Sequence, residues 1–366
     1  MTHSWVTGGA DFLDGSYDEN RALFSYSSRR DGRSFTNDWD HPAVIRYSIN
    51  SLLGLQEAWR HGHEAKAVSS YPEKLDAFLS NHFERVHDWA DRGLLLVLLS
   101  REGDSERAQR LLDQVKGFAA NPSGVDLQSV SWMLWGSTTA ARAGLPGADA
   151  AAKKLFRFLH HRYFNRDSLL ASHSLNRYRK NLVSFGATAY YLRALYEYGL
   201  LFDDEYVLTT FDWAVRRVLT LQGPLGEWPW MIRVDTVRVV DPYPVFSVHQ
   251  DSMAMLFLVP ALERNIGDVE GAIARSCRWV EGQNELSVNM VTESPFFISR
   301  SIQRSEGATR LRRYLRSLRG GSSSWPAANA SKVEVNPECR SYHIGWVLFV
   351  WSGRVDLLTG SLKTAR

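Results

Sequence analysis

The sequence has few cysteines and no excess of charge of one sign. Its 366 residues include two cysteines, Cys277 and Cys339, and no CxxC pair, so we expect two buried thiols. The 43 basic and 40 acidic residues give a net charge of +3, which is too balanced for a nucleic-acid groove. A basic cluster at 304–321 has the spacing of a solvated helix face. We therefore predict no nucleic-acid partner.

Long apolar runs and several familiar motifs are also missing. No apolar run approaches the roughly 20 residues that a membrane span requires. The N-terminus lacks the basic and apolar regions of a secretory signal, so we predict a cytoplasmic protein without a membrane span. There is no P-loop, no GxGxxG after a strand, no HExxH and no GxSxG. We expect neither a cofactor nor a metal, and the sequence leaves the oligomeric state open.

Helical periodicity and tryptophan are what the sequence has in quantity. It contains 13 Trp, several of them in polar segments where an exposed ring needs a purpose. Apolar and polar residues alternate on both sides of Asp235 and Thr236, which indicates a β-hairpin at 231–240. Apolar residues recur at steps of three and four, which predicts about a dozen helices: 43–60, 72–83, 88–101, 105–118, 127–143, 148–163, 182–198, 204–221, 249–265, 269–280, 308–319 and 342–358.

Irregular inserts interrupt this helical series. Those at 222–248 and 320–341 suggest loops gathered on one face, at the mouth of a cavity. Antiparallel helical hairpins with loops on one face favour an all-α fold of the (α/α)6 toroid type with a short β-hairpin insert. We predict a single domain over 1–366, in which 1–40 is an irregular N-terminal segment.

One short motif carries a resemblance. Residues 222–228, QGPLGEW, match the Q-x-x-x-G-x-W core of the QW repeat in squalene–hopene cyclases and related terpenoid cyclase toroids. The resemblance implies that Gln222 and Trp228 tie neighbouring helices together. The chain has one clear copy and lacks both DxDD and DDxxD. In helix number and Trp-rich loops it also resembles the six-hairpin toroids of glycoside hydrolases, polysaccharide lyases and sugar epimerases.

The insert at 222–248 supplies the first group of candidate residues. Pro229 holds Trp228 and Trp230 as a rigid pair of rings, which could form a platform for a sugar or a prenyl chain. Arg233, Asp241 and Tyr243 follow, with Tyr243 held extended by its prolines. We expect Trp228, Trp230 and Arg233 to bind substrate, and Asp241 and Tyr243 to take part in catalysis.

The helix after this insert supplies the second group. His249, Gln250 and Asp251 would lie in its first turn. Asp251 there is favoured by the helix dipole, which is one explanation of it. The other is that His249 acts as general acid or base with Asp251 tuning it, while Gln250 binds substrate.

Two more helix starts complete the predicted site. Tyr342 and His343 precede the last apolar helix and are candidate proton carriers, with Arg340 as a substrate ligand. They could instead only pack around the start of that helix. Arg46 and Tyr47, one turn into the first predicted helix, are further substrate-binding candidates; an Arg on an apolar helix needs a carboxylate partner.

Three functions remain open from the sequence. The leading one is an enzyme that acts on a possibly acidic carbohydrate, a small molecule or an oligosaccharide, by hydrolysis, elimination or epimerisation. The second is a terpenoid-cyclase-like enzyme whose proton donor is Asp241 or Asp251. The third is a non-catalytic glycan-binding or scaffold protein. The enzyme hypotheses require that the 222–248 insert and the last helix meet at a common cavity.

Overall fold

The helices follow the predicted series closely. The computed structural model describes residues 2–31, 34–176, 180–305 and 333–357. The predicted helix 308–319 and nearly all of the basic cluster 304–321 lie outside those residues. The described helices are α1 Thr2–Ser16, α2 Val44–Arg60, α3 Lys66–Ser69, α4 Tyr71–His82, α5 Trp89–Glu102, α6 Ser105–Ala120, α7 Leu127–Arg142, α8 Ala148–Arg162, α9 Phe185–Phe202, α10 Glu205–Leu219, α11 His249–Met253 continued by Met255–Glu263, α12 Val269–Val280 and α13 Ser341–Trp351.

Six of the described helices form a closed inner ring. In order around the ring they are α2, α5, α7, α9, α11 and α13, and α13 returns to pack on α2. The helices α1, α4, α6, α8, α10 and α12 pack on the outside of this ring. The chain therefore has the (α/α)6 toroid fold that the sequence predicts.

Glycines allow neighbouring inner helices to touch through their backbones. A Cβ atom on Gly54 of α2 would lie 2.2 Å from the carbonyl oxygen of Gly345 in α13. A Cβ atom on Gly136 of α7 would lie 2.4 Å from the carbonyl oxygen of Gly93 in α5. Since only glycine permits such an approach, these residues fix how the helices of each pair lie against each other.

Aromatic side chains fill the centre of the ring. Trp135 of α7 and Trp346 of α13 are buried and stacked, with ring centroids 6.2 Å apart. Phe349 meets both rings edge-on, and Tyr190 of α9 accepts a hydrogen bond of 3.2 Å from the Trp346 indole. Side chains therefore fill the centre of the ring.

Helices end at glycines and begin at capping aspartates where the sequence predicts. Gly103 is left-handed at the end of α5, and the Asp104 carboxylate accepts a hydrogen bond from the Arg107 N–H at the start of α6. Asp268 caps α12 in the same way through the Gly271 N–H. The two cysteines are buried and unbridged, as expected. None of the helices in the described ranges is both long and apolar enough to cross a membrane.

The long connections all leave and re-enter the helical ring at one end of the toroid. The four longest, 17–43, 163–184, 220–248 and 281–340, each run from an outer helix to the start of an inner one. They carry the described strands, which are β1 Tyr17–Asp18, β2 Leu23–Phe24, β3 Ser27–Asp31, β4 Ser34–Asp38, β5 Leu182–Ser184, β6 Met231–Arg233, β7 Arg238–Asp241, β8 Val245–Phe246, β9 Val291–Glu293, β10 Phe296–Ile298, β11 Ser301–Arg304, β12 Val333–Asn336 and β13 Glu338–Cys339.

Small sheets join these connections to one another. The predicted hairpin is present as β6 and β7, paired through Ile232 and Val239, and β5 extends it. In the other sheets β11 lies between β8 and β12, and β3 lies between β4 and β13. The insert before α11 and the segment before α13 therefore share a sheet at the end where the inner helices begin.

The N-terminal segment differs from the prediction. Residues 1–40 were expected to be irregular, but α1 is an outer helix that packs on α13, and β3 and β4 form a hairpin. Trp5, Phe12 and Leu13 are among the buried apolar residues of α1. Gly8 and Gly9 lower the helix propensity of the segment, and tertiary packing overrides that local cost.

Candidate active site

The first turn of α11 is wider than an ordinary helical turn. Residues His249–Met253 form a π-helical turn, in which the Ala254 N–H donates to the carbonyl of His249 over 3.2 Å. Such turns are rare and occur frequently at functional sites, because the extra residue changes where side chains point. Both His249 and Asp251 lie on this turn, at the end of the toroid that carries the long connections.

Asp251 is buried between two inner helices. Its Oδ2 atom lies 2.7 Å from Nε2 of His343 in the first turn of α13, and both side chains are almost fully buried. Its Oδ1 atom accepts a hydrogen bond of 2.9 Å from the Ser252 hydroxyl. The carbonyl of Asp251 accepts a third bond, of 2.6 Å, from the Trp351 indole. Asp251 therefore holds the His343 ring in one orientation.

His249 is an uncharged imidazole in an apolar environment. It is 5% exposed and packs between Phe185 and Phe246, whose ring centroids lie 5.0 and 5.1 Å away. Burial, with a smaller contribution from His343, lowers the pKa of His249 to about 3. Its Nδ1 atom is buried and has no hydrogen-bond partner among the described residues.

Space beside His249 is kept by a glycine at the start of α9. A Cβ atom on Gly186 would lie 3.7 Å from the His249 Nε2 atom and 3.5 Å from the Met253 thioether. The absence of that carbon leaves room next to Nε2. A neutral histidine with room at one ring nitrogen can accept a proton from a bound molecule.

Stacked tyrosines line the rim next to α13. Tyr26 stacks on Tyr47 with centroids 4.9 Å apart, and Tyr47 contacts Tyr342 at 4.4 Å. The guanidinium of Arg340 lies 3.9 Å from the centre of the Tyr26 ring. Burial raises the pKa of both Tyr47 and Tyr342. These phenols therefore stay protonated and can donate hydrogen bonds to a substrate.

Three arginines share a single carboxylate at this rim. Glu338 accepts hydrogen bonds from Arg29, Arg300 and Arg340 over 2.9, 3.0 and 2.7 Å. Burial opposes ionisation of Glu338, but these arginines outweigh it and lower its pKa to about 2. The Nε atoms of Arg300 and Arg340 are buried without a partner in the described residues. The cluster carries more positive than negative charge.

A cavity adjoins this arginine cluster. Its volume is about 430 Å³, and Arg29, Arg30 and Glu338 are among the residues that line it. The sequence predicts Arg340 as a substrate ligand but does not indicate that Arg29, Arg300 and Glu338 lie beside it. Arg29 and Glu338 meet because β3 pairs with β13, a contact between residues 309 positions apart. No local pattern in the sequence signals such a pairing.

Arg46 has the carboxylate partners that its position on an apolar helix requires. It pairs with Asp88 over 2.7 Å and more closely with Asp91, both at the start of α5. Its guanidinium also lies 5.7 Å from the centre of the Trp132 ring. Burial raises the pKa of Asp91, although Arg46 opposes the shift. Sequence analysis missed the two aspartates, of which Asp88 is recognisable as the N-cap of α5.

Trp228 packs inside the protein, so it has a structural role and not the predicted role in substrate binding. The side chain is fully buried, and its indole N–H donates to the Ser276 hydroxyl over 2.8 Å. The Gln222 amide donates to the Ala272 carbonyl and to Ser276 over 2.9 and 3.1 Å. The two ends of the QW-like motif therefore tie the end of α10 to α12, as the resemblance implies. Trp230 remains partly exposed.

Gln250 and Arg233 also have structural partners. The Gln250 side chain accepts from the Trp228 N–H over 3.0 Å and donates to the Phe246 carbonyl over 3.1 Å. Both ends of this buried amide are thus used, which leaves it little capacity to bind substrate. Arg233 forms a bidentate pair with Asp235 on the hairpin. Their contacts therefore give Gln250 and Arg233 structural roles in place of the predicted substrate binding.

Asp241 and Tyr243 belong to a separate polar cluster. Asp241 is buried and pairs with Arg304 over 2.8 Å, and that guanidinium lies 5.1 Å from the centre of the Tyr243 ring. The Tyr243 hydroxyl donates to Glu285 over 3.1 Å. These contacts hold the insert before α11 onto β11. Asp241 and Tyr243 therefore hold this insert in place, and their contacts do not support the predicted catalytic roles.

The described residues offer no arrangement of three or more His, Cys, Asp or Glu side chains that could hold a metal ion. His249, His343 and Asp251 form the centre of the candidate active site. Arg46 and the rim of tyrosines and arginines surround that centre. The sequence predicts catalytic roles for all three residues; the structure places them close together, and their roles stay a prediction.

Comparison with known proteins gives a clear result for the fold. No family model and no curated protein matches the chain. Solved structures do match, at low sequence identity. A possible member of the GH105 family from Klebsiella pneumoniae is 11% identical, with a TM-score of 0.62 over 98% of this chain and 93% of that one.

Two further structures have the same toroid. An inactive variant of an α-1,6-mannanase from Salegentibacter sp., solved with α-1,6-mannotetrose, is 11% identical with a TM-score of 0.63, over 98% of this chain and 99% of that one. A cellobiose 2-epimerase from Bacillus thermoamylovorans is 10% identical with a TM-score of 0.63, over 94% and 95%. The chain thus shares an α/α toroid fold with these three structures, as its sequence suggests.

Proposed function

We propose that this chain is a carbohydrate-active enzyme that removes a proton from a sugar carbon and returns it, as in epimerisation. The observation that carries the proposal is the 2.7 Å contact between Asp251 and His343, next to the neutral His249. Two imidazoles from adjacent inner helices, one of them oriented by a carboxylate, provide an acid–base pair at one place. The fold that the chain shares with a cellobiose 2-epimerase supports the same class of substrate.

The histidines favour proton transfer over hydrolysis. Most glycoside hydrolases need two carboxyl groups that can reach the glycosidic bond. Asp251 is fully buried, and both of its oxygens are already bonded. Asp91 is held by Arg46. The neutral imidazole of His249 has a free lone pair that can accept a proton from a C–H group, and its low pKa means that the oxyanion must be stabilised for the transfer to proceed.

Each group has a role in the proposed step. The lone pair on Nε2 of His249 takes the proton from the carbon next to the sugar carbonyl, so the C–H bond breaks and an N–H bond forms. The electron pair moves to the carbonyl oxygen and gives an enolate, to which the protonated phenols of Tyr47 and Tyr342 can donate. For the return step His343 must carry a proton on both ring nitrogens: its Nε2–H bonds to Asp251 and its Nδ1–H gives the proton to the carbon. His249 then loses its proton to solvent and His343 takes one up, which restores both groups.

The arginine cluster favours a substrate with an anionic group. Arg300 and Arg340 carry buried Nε–H groups without partners and share one carboxylate between them. A sugar carboxylate would satisfy these donors through charge-assisted hydrogen bonds. The substrate we propose is therefore a small saccharide or oligosaccharide that contains a uronate.

The other two hypotheses have less support. Terpenoid cyclisation builds positive charge on an apolar chain, and that charge would lie near the cations of Arg46, Arg300 and Arg340. A scaffold would not require a neutral histidine beside a buried Asp–His pair, since such groups cost stability unless they serve a purpose.

The test is hydrogen exchange with solvent. The purified chain is incubated in D₂O with a panel of reducing uronate-containing and neutral disaccharides, and products are analysed by mass spectrometry and NMR. We expect one deuterium to appear at the carbon next to the carbonyl, and His249→Gln to abolish that signal. Release of new reducing ends without deuterium would show hydrolysis. An unsaturated product would show elimination.

A further inference from the structure

A second cavity opens outside the ring of inner helices. It lies between the N-terminal connection 17–43 and the connection from α4 to α5, and its volume is about 840 Å³. Trp39 and His41 line it from the first segment, and Arg85 and His87 from the second. Both segments lead into the start of an inner helix. The cavity therefore opens at the same end of the toroid as the proposed catalytic histidines.

The acidic residue in this cavity already has a partner. Asp40 pairs with Arg21 over 2.8 Å, and the Arg21 guanidinium lies 5.7 Å from the centre of the Trp39 ring. The charge of Asp40 is thus compensated within the cavity wall.

Arg85 contributes the unmatched positive charge. Its Nη1 atom donates to Nδ1 of His82 over 3.2 Å, while Nε2 of His82 donates to the Arg21 carbonyl over 2.7 Å. His82 is therefore a neutral spacer that positions Arg85, and burial lowers its pKa in agreement with that role. Within the described ranges Arg85 has no carboxylate partner. Two of its guanidinium nitrogens remain available for a ligand.

His41 adds a second donor and a link to the catalytic rim. Its Nδ1 atom accepts from the Ala43 N–H over 3.1 Å, so Nε2 carries the proton and donates. The His41 ring stacks on Tyr26 with centroids 3.6 Å apart. Tyr26 is the first of the three rim tyrosines that lead to Tyr342. The cavity and the candidate active site thus share a continuous aromatic wall.

We propose that this cavity is a second sugar-binding subsite, which takes a carboxylate-bearing sugar unit of an oligosaccharide. Its size is within the range of ligand pockets, and one uncompensated guanidinium suits a monoanion rather than a phosphate dianion. Arg85 binds the carboxylate, and His41 donates to the same group or to a neighbouring hydroxyl. The inference rests on the proposed function in that the oligosaccharide continues to a reacting unit beside His249.

The experiment is calorimetric titration of the full chain with α-1,4-linked trigalacturonate and with maltotriose, a neutral trisaccharide of the same length. We expect trigalacturonate to bind at least tenfold more tightly than maltotriose. Arg85→Gln should weaken trigalacturonate binding about tenfold, the loss of one charge-assisted hydrogen bond. The control Arg157→Gln removes an arginine from the distant outer helix α8 and should leave the affinity unchanged.

Two results would overturn the subsite. One is that trigalacturonate does not bind, or binds no better than maltotriose. The other is that Arg85→Gln binds it as tightly as the unchanged chain. The titrations are repeated in His249→Gln, which should bind normally. If His249→Gln binds but the unchanged chain exchanges no deuterium, the proposed chemistry fails and the subsite stands.

Discussion

The Nε2 atom of His343 and the Oδ2 atom of Asp251 lie 2.7 Å apart, although 92 residues separate them in the chain. The contact joins the first turns of two neighbouring inner helices. Since both side chains are buried, solvent does not weaken the interaction. It links α11 to the last inner helix at the centre of the candidate site.

Asp251→Asn should lower turnover without a comparable change in substrate affinity. The amide has nearly the same shape but lacks the charge that orients His343. We expect kcat for solvent exchange to fall about 10²- to 10⁴-fold, the usual contribution of a positioned acid–base group, while KM stays within about threefold. Asp212→Asn breaks the Asp212–Arg264 pair away from the site and should keep kcat. An Asp251 variant with full turnover would contradict the assignment.

Gly186→Ala should lower activity without lowering the stability of the fold. The added methyl would make ordinary contacts, 3.5 Å from Met253 and 3.7 Å from His249, and Ala is the better helix former by ~0.5–1 kcal/mol. We expect an unchanged or raised Tm. The methyl would occupy the space beside Nε2, so we expect kcat/KM to fall about tenfold or more, measured by the exchange assay. Normal activity would mean that substrate reaches His249 from elsewhere.

The two tryptophans of the Trp-Pro-Trp segment should respond differently to truncation. Trp228→Ala removes a fully buried ring and its hydrogen bond to Ser276, so we expect a loss of ~3–5 kcal/mol in the free energy of unfolding. Trp230 is partly exposed. Trp230→Ala should cost less stability and instead raise KM. Denaturant titration and steady-state kinetics on both variants test this contrast.

Glu227 should make stability depend on pH near neutrality. Burial raises its pKa from 4.5 to about 7, with a contribution from Glu285. Because the folded state binds this proton more tightly, its stabilising effect is complete below pH 4.5 and is lost as pH rises through 7. Glu227→Gln should therefore match the unchanged chain at pH 4.5 and exceed it at pH 8, by up to ~3 kcal/mol. Parallel stability curves for the two proteins would refute the shift.

Gly54→Ala should disrupt the contact between α2 and α13. The added carbon would lie 2.2 Å from the Gly345 carbonyl oxygen, which forces the two helices apart. We expect a loss of ~3 kcal/mol or more in unfolding free energy. The matched control is Gly117→Ala in α6, where a Cβ atom meets nothing within 4 Å. That variant should gain ~0.5–1 kcal/mol, and equal behaviour of the two would be contrary to the packing described.

The helical ring could be predicted because it follows from local signals. Apolar spacing gives each helix, and pairs such as Gly103 with Asp104 mark where one ends and the next begins. The same method missed α1, because Gly8 and Gly9 weaken its local signal while distant packing stabilises it. A single domain and a cytoplasmic location stay predictions.

The candidate site was only partly predictable for a related reason. Helix starts are local features, so His249, Asp251 and His343 could each be placed in a first turn. Which of them meet depends on the order of helices around the ring, and the sequence does not state it. Arg29 and Glu338 meet only because two strands far apart in the sequence pair with each other. The burial of the Trp228 ring likewise depends on tertiary packing, which the sequence does not show.

The backbone contact between Gly54 and Gly345 has a consequence for assembly of the site. It sets the position of α13 along α2, and with it the contact between the Tyr47 and Tyr342 rings, whose centroids lie 4.4 Å apart. A sliding displacement of one helical turn, about 5.4 Å, would break that contact. The tyrosine rim therefore exists only when the first and last inner helices are docked against each other.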